Sequence, residues 1–173
     1  MNLLGISGSL RADSLNTQLV SVAAEAFGDA DFTLADLRLP LYDGDLEDRG
    51  MPAEVTTLVD QIRAADAIII STPEYNAGLS GVLKNALDWV SRIPPMAFAG
   101  KPTAIMSAAA GKAGGARAQM TLRHCLVAFR PRIVLGPEIM VGGAMSAFED
   151  GRLTDEMAVK LVADQMAALR AMV

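Results

Sequence analysis

The sequence predicts an α/β fold: a doubly wound parallel sheet of five strands with helices on both faces. Three observations predict it. Short apolar runs rich in β-branched residues alternate along the chain with longer stretches whose apolar residues recur at helical spacing, the order expected of parallel strands joined by crossover helices. The clearest run, Ala67-Ile68-Ile69-Ile70-Ser71, has no polar alternation, so both of its faces are built for burial. Hydrophobic residues make up 51% of the 173 residues and aromatics only 5%. The core is therefore made of Ala, Leu, Ile, Val and Met, which suits helices laid on a parallel sheet.

The elements follow in order. Asn2–Ser7 is a buried strand that stops in the small-residue string Gly5-Ile6-Ser7-Gly8-Ser9,. Leu19, Val20, Ala23, Ala24 and Phe27 mark a first helix over Asn16–Phe27, and Asp31–Asp36 reads as the second strand,. Leu39–Gly50, with Pro40, Gly44 and Gly50 among several acids, is expected to be a long loop. Pro52 suits the first turn of a second helix that runs from Glu54 to Ala64,. Ala67–Ser71 is the third strand, ended by Pro73, and a third helix covers about Ser80–Ser91. Pro102–Ala110 is the fourth strand, leading through the glycine-rich Gly111, Gly114 and Gly115 to a fourth helix over Ala116–Phe129. A fifth strand lies within Arg132–Val141, interrupted near Gly136-Pro137,. Thr154, with Glu156 just after it, starts a terminal helix that runs to the end,. No repeat, low-complexity tract or linker divides the chain, and its length fits one domain over residues 1–173,.

Charge and composition exclude several classes of function. A formal net charge of −5 and an isoelectric point near 4.8 argue against nucleic acid and anionic membrane, which both reward clustered Lys and Arg. No basic region or cleavage site accompanies the apolar Leu3–Ile6, so no signal peptide is expected. The longest uncharged apolar runs fall short of the roughly 20 residues a membrane helix needs. The single cysteine, Cys125, leaves no disulfide framework and no Cys-rich metal site. A soluble, cytoplasmic protein without a metal is expected.

Doubly wound sheets bind ligands beyond the carboxyl ends of their strands, where the winding reverses. Polar loops follow the first, third and fourth strands here. The first, Gly8-Ser9-Leu10-Arg11-Ala12-Asp13-Ser14-Leu15-Asn16, joins a buried strand to a helix and so aims backbone N–H groups and the helix dipole at one point. Ser9, Ser14 and Asn16 add hydrogen-bonding side chains, and Arg11 adds forked donors with a fixed charge. Ser14 or Asp13 would cap a helix in any case; Arg11 and the strand-end glycine move the balance toward a phosphate, with Asp13 turned away. A triphosphate site is not indicated, because Gly111-Lys112 is followed by Ala113 rather than Ser or Thr,. The Rossmann G-x-G-x-x-G is also missing after the first strand,. A monophosphate cofactor fits. In the second loop, Thr72-Pro73-Glu74-Tyr75-Asn76, Pro73 turns the chain out of the ladder, Tyr75 offers a planar wall, and Asn76 can meet a heterocycle edge. Glu74 reads as a solvated acid that contributes through its backbone. The third, Ser107-Ala108-Ala109-Ala110-Gly111-Lys112-Ala113-Gly114-Gly115, lacks bulky side chains and so lets a flat ligand approach the main chain.

Taken together, Gly8-Ser9-Leu10-Arg11-x-x-Ser14-x-Asn16, Pro73-Glu74-Tyr75-Asn76 running into Gly81-x-Leu83-Lys84-Asn85-Ala86-x-Asp88-Trp89, and Gly114-Gly115-Ala116-Arg117 resemble the NAD(P)H-dependent FMN reductases of flavodoxin-like fold, which include quinone, chromate and azo-dye reductases. The resemblance implies a sheet in the order 2-1-3-4-5, bound FMN, and NADPH or NADH as electron donor. It implies ping-pong hydride transfer through flavin N5 to a small acceptor (quinone, azo compound, chromate or free flavin). Ser9, Arg11, Ser14 and Asn16 would hold the FMN phosphate, helped by the backbone of Leu10 and Leu15. Pro73, Glu74, Tyr75 and Asn76 would line the isoalloxazine, and Ser107, Ala108, Ala109 and Gly111 would meet its pyrimidine edge. The flavin carries the chemistry, so no catalytic side chain is expected. The alternative is a flavodoxin-type electron carrier without nicotinamide oxidase activity. Ser80, Ala77 and Met120 depart from residues common in the family and bear on the acceptor pocket and subunit contacts.

His124, the one histidine, reads as a packed or interface residue, and Cys125 as a buried small one. Trp89 is expected to pack against a neighbour, and Met96 and Met106 to shape the pocket. The wide apolar surface of the third helix (Val82, Leu83, Ala86, Leu87, Trp89, Val90) predicts a homodimer or homotetramer; the competing account is that the Leu39–Gly50 loop covers it within one chain.

Overall fold

Runs without polar alternation end where both sheet faces are covered. The computed structural model describes all 173 residues, in the order β1 (Asn2–Ser7), α1 (Leu15–Phe27), β2 (Asp31–Leu34), α2 (Gly44–Arg49), α3 (Ala53–Ala64), β3 (Ala67–Ser71) and α4 (Gly81–Val90). There follow β4 (Pro102–Ala108), α5 (Ala116–Leu126), β5 (Arg132–Ile133), β6 (Ile139–Val141), β7 (Phe148–Glu149), β8 (Arg152–Leu153) and α6 (Glu156–Arg170). Every residue of β3 and β4 is buried, and all but the first of β1. The strands run parallel in the order β2-β1-β3-β4-β5, the flavodoxin-like arrangement. Register pairs Gly5 with Ile69 and Ile70 with Ile105.

Because side chains alternate across a strand, each central strand feeds two cores. Leu4, Ile6, Ile68, Ile70 and Ile105 pack under α3, α4 and α5. Leu3, Ala67, Ile69, Ala104 and Met106 pack under α1 and α6. Each fully buried Ile or Leu contributes about 1.5–3 kcal/mol from apolar burial, so these two layers fix the strand order.

Helix starts follow capping chemistry. The Ser14 Oγ accepts from Thr17 N at 3.2 Å, and the Ser80 Oγ from Leu83 N at 3.2 Å. Asp155 Oδ1 accepts from Ala158 N at 2.7 Å, which starts the terminal helix after Asp155 rather than at Thr154. Pro52 precedes its helix as the cap instead of sitting in the first turn.

The fifth strand is interrupted near Gly136-Pro137 as expected: β5 pairs with the start of β4 and β6 with its end, while residues 135–138 leave the ladder, where Pro137 has no N–H to donate. Two other features depart from the expected layout. A hairpin, β7–β8, precedes α6; its turn residues Asp150 and Gly151 both have positive φ (48° and 79°), as a tight hairpin requires. Finally, the Leu39–Gly50 segment is not all loop. Asp43 accepts from Asp45 N at 3.0 Å and starts α2, whose early acids Asp45 and Glu47 face the favourable end of the helix dipole,.

That segment lies on α4. The Pro40 carbonyl accepts from Trp89 Nε1 at 2.8 Å and from Asn85 Nδ2 at 2.9 Å. The Tyr42 ring meets Trp89 edge-on at 5.0 Å, and Arg92 Nε donates to Glu47 Oε2 at 3.0 Å. Leu83, Ala86, Leu87, Trp89 and Val90 are all buried. Of the two accounts of this apolar surface, the covering segment is the one the structure realises. His124 is exposed near the end of α5 rather than packed within the chain, and Cys125 is half-buried rather than buried. No helix is long and apolar enough to cross a membrane.

Candidate functional site

The loops after β1, β3 and β4 meet at the carboxyl edge of the sheet, and one buried side chain ties them. Asn16, in the first turn of α1, accepts at Oδ1 from Ser71 Oγ of β3 (2.8 Å) and from Ala108 N of β4 (3.0 Å). Its Nδ2 donates back to the Ala108 carbonyl at 3.0 Å. The first two loops also touch through Gly8, whose N–H donates to Ser71 O at 2.8 Å. A Cβ at Gly8 would stand 2.9 Å from Ser80 Oγ, so only bare backbone fits there. The third loop is held by Ser107, which donates to the Gly114 carbonyl at 2.5 Å and accepts from Gln119 Nε2 at 2.9 Å. Gly115, at φ 91°, leaves room for that contact, since a Cβ would come within 2.7 Å of Ser107 Oγ.

Between the loops lies a cavity of about 590 Å³, ample for one cofactor. The first loop contributes Ser9, Arg11, Ser14, Leu15 and Asn16; the second Pro73, Glu74 and Tyr75; the third Ala108, Ala109 and Ala110. Four expected residues are not on this wall. Leu10 faces an adjoining cleft. Asn76, at φ 49°, turns away in a tight bend closed by hydrogen bonds between Tyr75 and Gly78 of 3.0 and 3.1 Å. Ser107 is fully buried under the loop. Gly111 leads away, its carbonyl taking the N–H of Gly143 at 3.4 Å. Met106 is likewise inside the α1–α6 core, and Met96 packs on the opposite core, so neither shapes the cavity. Conversely, Gln18, Met145, Phe148, Asp150 and Gly151 line it unforeseen. The legible signal for the last three was Asp150-Gly151 set between Phe148 and Leu153, a hairpin signature. Phe148 adds a second aromatic to the lining.

At the α1 end the backbone N–H groups of Ser14, Leu15 and Asn16 donate to nothing within the chain, as the start of a helix leaves them. Ser9 and Ser14 accept from Arg11 N (3.4 Å) and Thr17 N (3.2 Å), and each keeps its hydroxyl proton for an outside partner. Arg11 is exposed and belongs to none of the ion pairs. This cluster suits a phosphate monoester. The part expected of Asn16 changes: its carbonyl oxygen is turned inward, and its backbone N–H faces this end. Asp13, expected to turn away, stands on the rim with Asp150.

Pro73, the half-exposed Tyr75 and the small Ala108–Ala110 segment also line the cavity, so no bulky side chain of the third loop bars a flat ring from the backbone there. Glu74 is not a solvated acid. Its side chain is only 10% exposed and accepts from Arg117 Nε at 2.8 Å and Arg117 N at 3.1 Å. The Arg117 hydrogen bond holds the Glu74 carboxyl below its ordinary value of 4.5,. Glu74 thereby clamps the second loop to the start of α5. No His, Cys or Lys lines the cavity.

Residues 1–146 match the family model described as NADPH-dependent FMN reductase. An NAD(P)H-dependent FMN reductase of Pseudomonas aeruginosa is 45% identical over 176 aligned positions, covering 98% of this chain and 94% of the relative. A quinone reductase of Escherichia coli is 40% identical across 82% of this chain and 78% of its own length. Among solved structures, FerB, a flavoenzyme NAD(P)H:(acceptor) oxidoreductase of Paracoccus denitrificans, superposes with a TM-score of 0.86 at 33% identity, covering 98% of this chain and 95% of that one.

Two outcomes are expected from this geometry. Asn16→Ala strands the buried Ser71 hydroxyl and both polar groups of Ala108, and should lower the unfolding free energy by about 2–4 kcal/mol. Denaturant unfolding of the flavin-free protein measures it, and an unchanged midpoint removes the tie. Glu74 has a lowered folded-state value, so its pair with Arg117 stabilises fully above pH 4.5 and loses its contribution as pH falls through the lowered value. The stability gap between wild type and Glu74→Gln should therefore be present at pH 6 and shrink toward pH 3; a gap constant over that range would contradict the pairing.

Proposed function

This chain belongs to the NADPH-dependent FMN reductase family, and from that footing we propose that residues 1–173 work as one domain holding FMN between the three loops and reducing a small acceptor with NADPH or NADH in ping-pong order. That it is an FMN-dependent oxidoreductase using NAD(P)H follows from the family. The observation that carries the rest is that free N–H donors, an unpaired Arg11 and the small Ala108–Ala110 segment line one cavity. FMN fits that pattern, a phosphate monoester at one end and a flat ring at the other. When bound, it supplies hydride acceptance and donation at N5.

The chain's own part is binding and orientation. Ser9, Arg11 and Ser14, with the N–H groups of Leu15 and Asn16, take the phosphate. Pro73 and Tyr75 wall one side of the ring and the Ala108–Ala110 backbone meets its polar edge, while Glu74 fixes the second loop through Arg117. Leu10 and Asn76 shape the loops that carry these contacts, and Ser107 and Gly111 set the path of the third. A quinone is the first acceptor to test, since a quinone reductase is among the relatives; an azo compound, chromate and free flavin complete the panel. Parallel double-reciprocal lines with NADPH and quinone are the expected result. Intersecting lines would overturn the ping-pong order, and absence of NADPH oxidation would point to an electron carrier.

Assembly into a dimer or tetramer is part of the proposal, though not through α4, which is covered. The supporting surface is the outer face of α5 and the turn after it, where Met120 and Val127 are 71% and 72% exposed with His124 between them. Light scattering of the flavin-loaded protein tests it; a mass near 18.2 kDa would refute it. The one cysteine, unpaired, suits a cytoplasmic setting,.

Arg11→Ala should weaken FMN binding by about 1.5–3 kcal/mol, the worth of a charge-assisted hydrogen bond. Titration of flavin into apoprotein measures it, and an unchanged dissociation constant would take Arg11 out of the phosphate site.

A further inference from the structure

Beside the main cavity, on the other side of the loop after β1, lies a second cleft of about 330 Å³. It opens between that loop and the segment leaving β2, and it shares Ser9 and Arg11 with the main cavity, so the two adjoin across one ridge. Its size is at the lower end for ligand sites, enough for about half of a dinucleotide.

The chemistry of the cleft is specific. Arg38 is held over it from two sides: Nη1 donates to Asp36 Oδ1 at 3.1 Å and Nη2 to the Leu10 carbonyl at 3.3 Å. The backbone N–H of Arg38 also donates to Asp36 Oδ1, at 3.0 Å. The other carboxylate oxygen of Asp36 and the Nε of Arg38 engage no group of the chain. Arg11 brings a second guanidinium with no ion partner. The floor holds the Ser7 and Thr17 hydroxyls, 2.8 Å apart, and the walls include Leu10 and Leu34, 39% and 42% exposed.

An exposed Asp–Arg pair two residues apart stabilises little by itself. The added bond to Leu10, across 28 positions of sequence, is what fixes the guanidinium at the cleft. In a protein of net charge −5, two arginines converging on one cleft make a local anion site. An unpaired carboxylate oxygen in the same place suits hydroxyl donors, and the leucines suit a flat apolar face. A phosphorylated ribose bearing a base satisfies all three. In dinucleotide-binding doubly wound sheets, an acid beyond the second strand takes ribose hydroxyls and a nearby arginine takes the 2′-phosphate.

We propose that this cleft receives the adenosine 2′-phosphate half of NADPH, with Arg38 on the phosphate and Asp36 on a ribose hydroxyl, while Arg11 on the shared ridge stays with the flavin phosphate. The inference rests on the reading that the main cavity holds FMN, because a donor seated in the adjoining cleft then lies next to the bound flavin. It makes Arg38 a determinant of donor choice.

The test uses the flavin-loaded protein and calorimetric titration of adenosine 2′,5′-bisphosphate, with no turnover. Wild type should bind it, and adenosine 5′-monophosphate at least tenfold more weakly. Arg38→Ala should weaken the bisphosphate at least tenfold and lower the ratio of kcat/KM for NADPH over NADH by a similar factor, while Arg38→Lys retains part of both. Arg38 is on the surface, so the variants should fold. Unchanged bisphosphate affinity and donor ratio in Arg38→Ala would overturn the proposal, as would inorganic phosphate binding as tightly as the bisphosphate. An equal loss of FMN in that variant would overturn it too, by placing Arg38 in the flavin site. If wild type binds no FMN, the reading of the main cavity falls, and the same titration on the flavin-free protein still decides the cleft.

Discussion

The site depends on the buried amide of Asn16. An amide with no water around it must find partners inside the protein or cost the fold its desolvation, and this one finds them on two different strands. Because Ser71 ends β3 and Ala108 ends β4, the first turn of α1 cannot shift without breaking contacts to both. The free N–H groups of that turn are thus held at a set distance from the backbone of the third loop. What the sheet supplies is two rigid rails; what Asn16 supplies is the crosspiece that makes a helix start and a strand end parts of one cavity.

Charge is arranged on the same frame. Glu74 could have placed an anion on the cavity wall, but Arg117 neutralises it and uses it to pin the second loop to α5. Arg11 is left without an intramolecular partner, so its charge is available outward. An acidic chain gains anion affinity only where such imbalances are local, since its overall field repels anions. The adjoining cleft follows the same rule, with Arg38 steadied by Asp36 and by a backbone carbonyl rather than cancelled.

Covering elements complete the molecule in ways that separate its surfaces. The Pro40–Arg49 segment seals α4 by hydrogen bonds to Trp89 and Asn85, while Met120 on α5 and Val127 just after it stay exposed. The β7–β8 hairpin sets Phe148 and Asp150 on the cavity rim while Leu153 reaches the α1–α6 core. Residues from the last part of the chain therefore face the loop that follows the first strand.

By itself the amino-acid sequence determined the sheet, its two helical layers and the three loops at its carboxyl edge. Those features come from local signals: unbroken β-branched runs at Ala67–Ser71, helical periodicity from Leu19 to Phe27, and caps such as Ser14. That Ser9, Arg11 and Ser14 share one wall of the cavity was legible for the same reason, since they are neighbours in one loop. Only the tertiary structure decided which way side chains turn when their partners are far away in sequence. Asn16 turned inward because Ala108 lies 92 positions on, and Glu74 was clamped because Arg117 lies 43 positions on. The apolar face of α4 had two possible covers, and Pro40, 49 positions before Trp89, settled it within the chain. Periodicity and propensity report on a residue and its near neighbours; pairing across the fold depends on packing that no local pattern encodes.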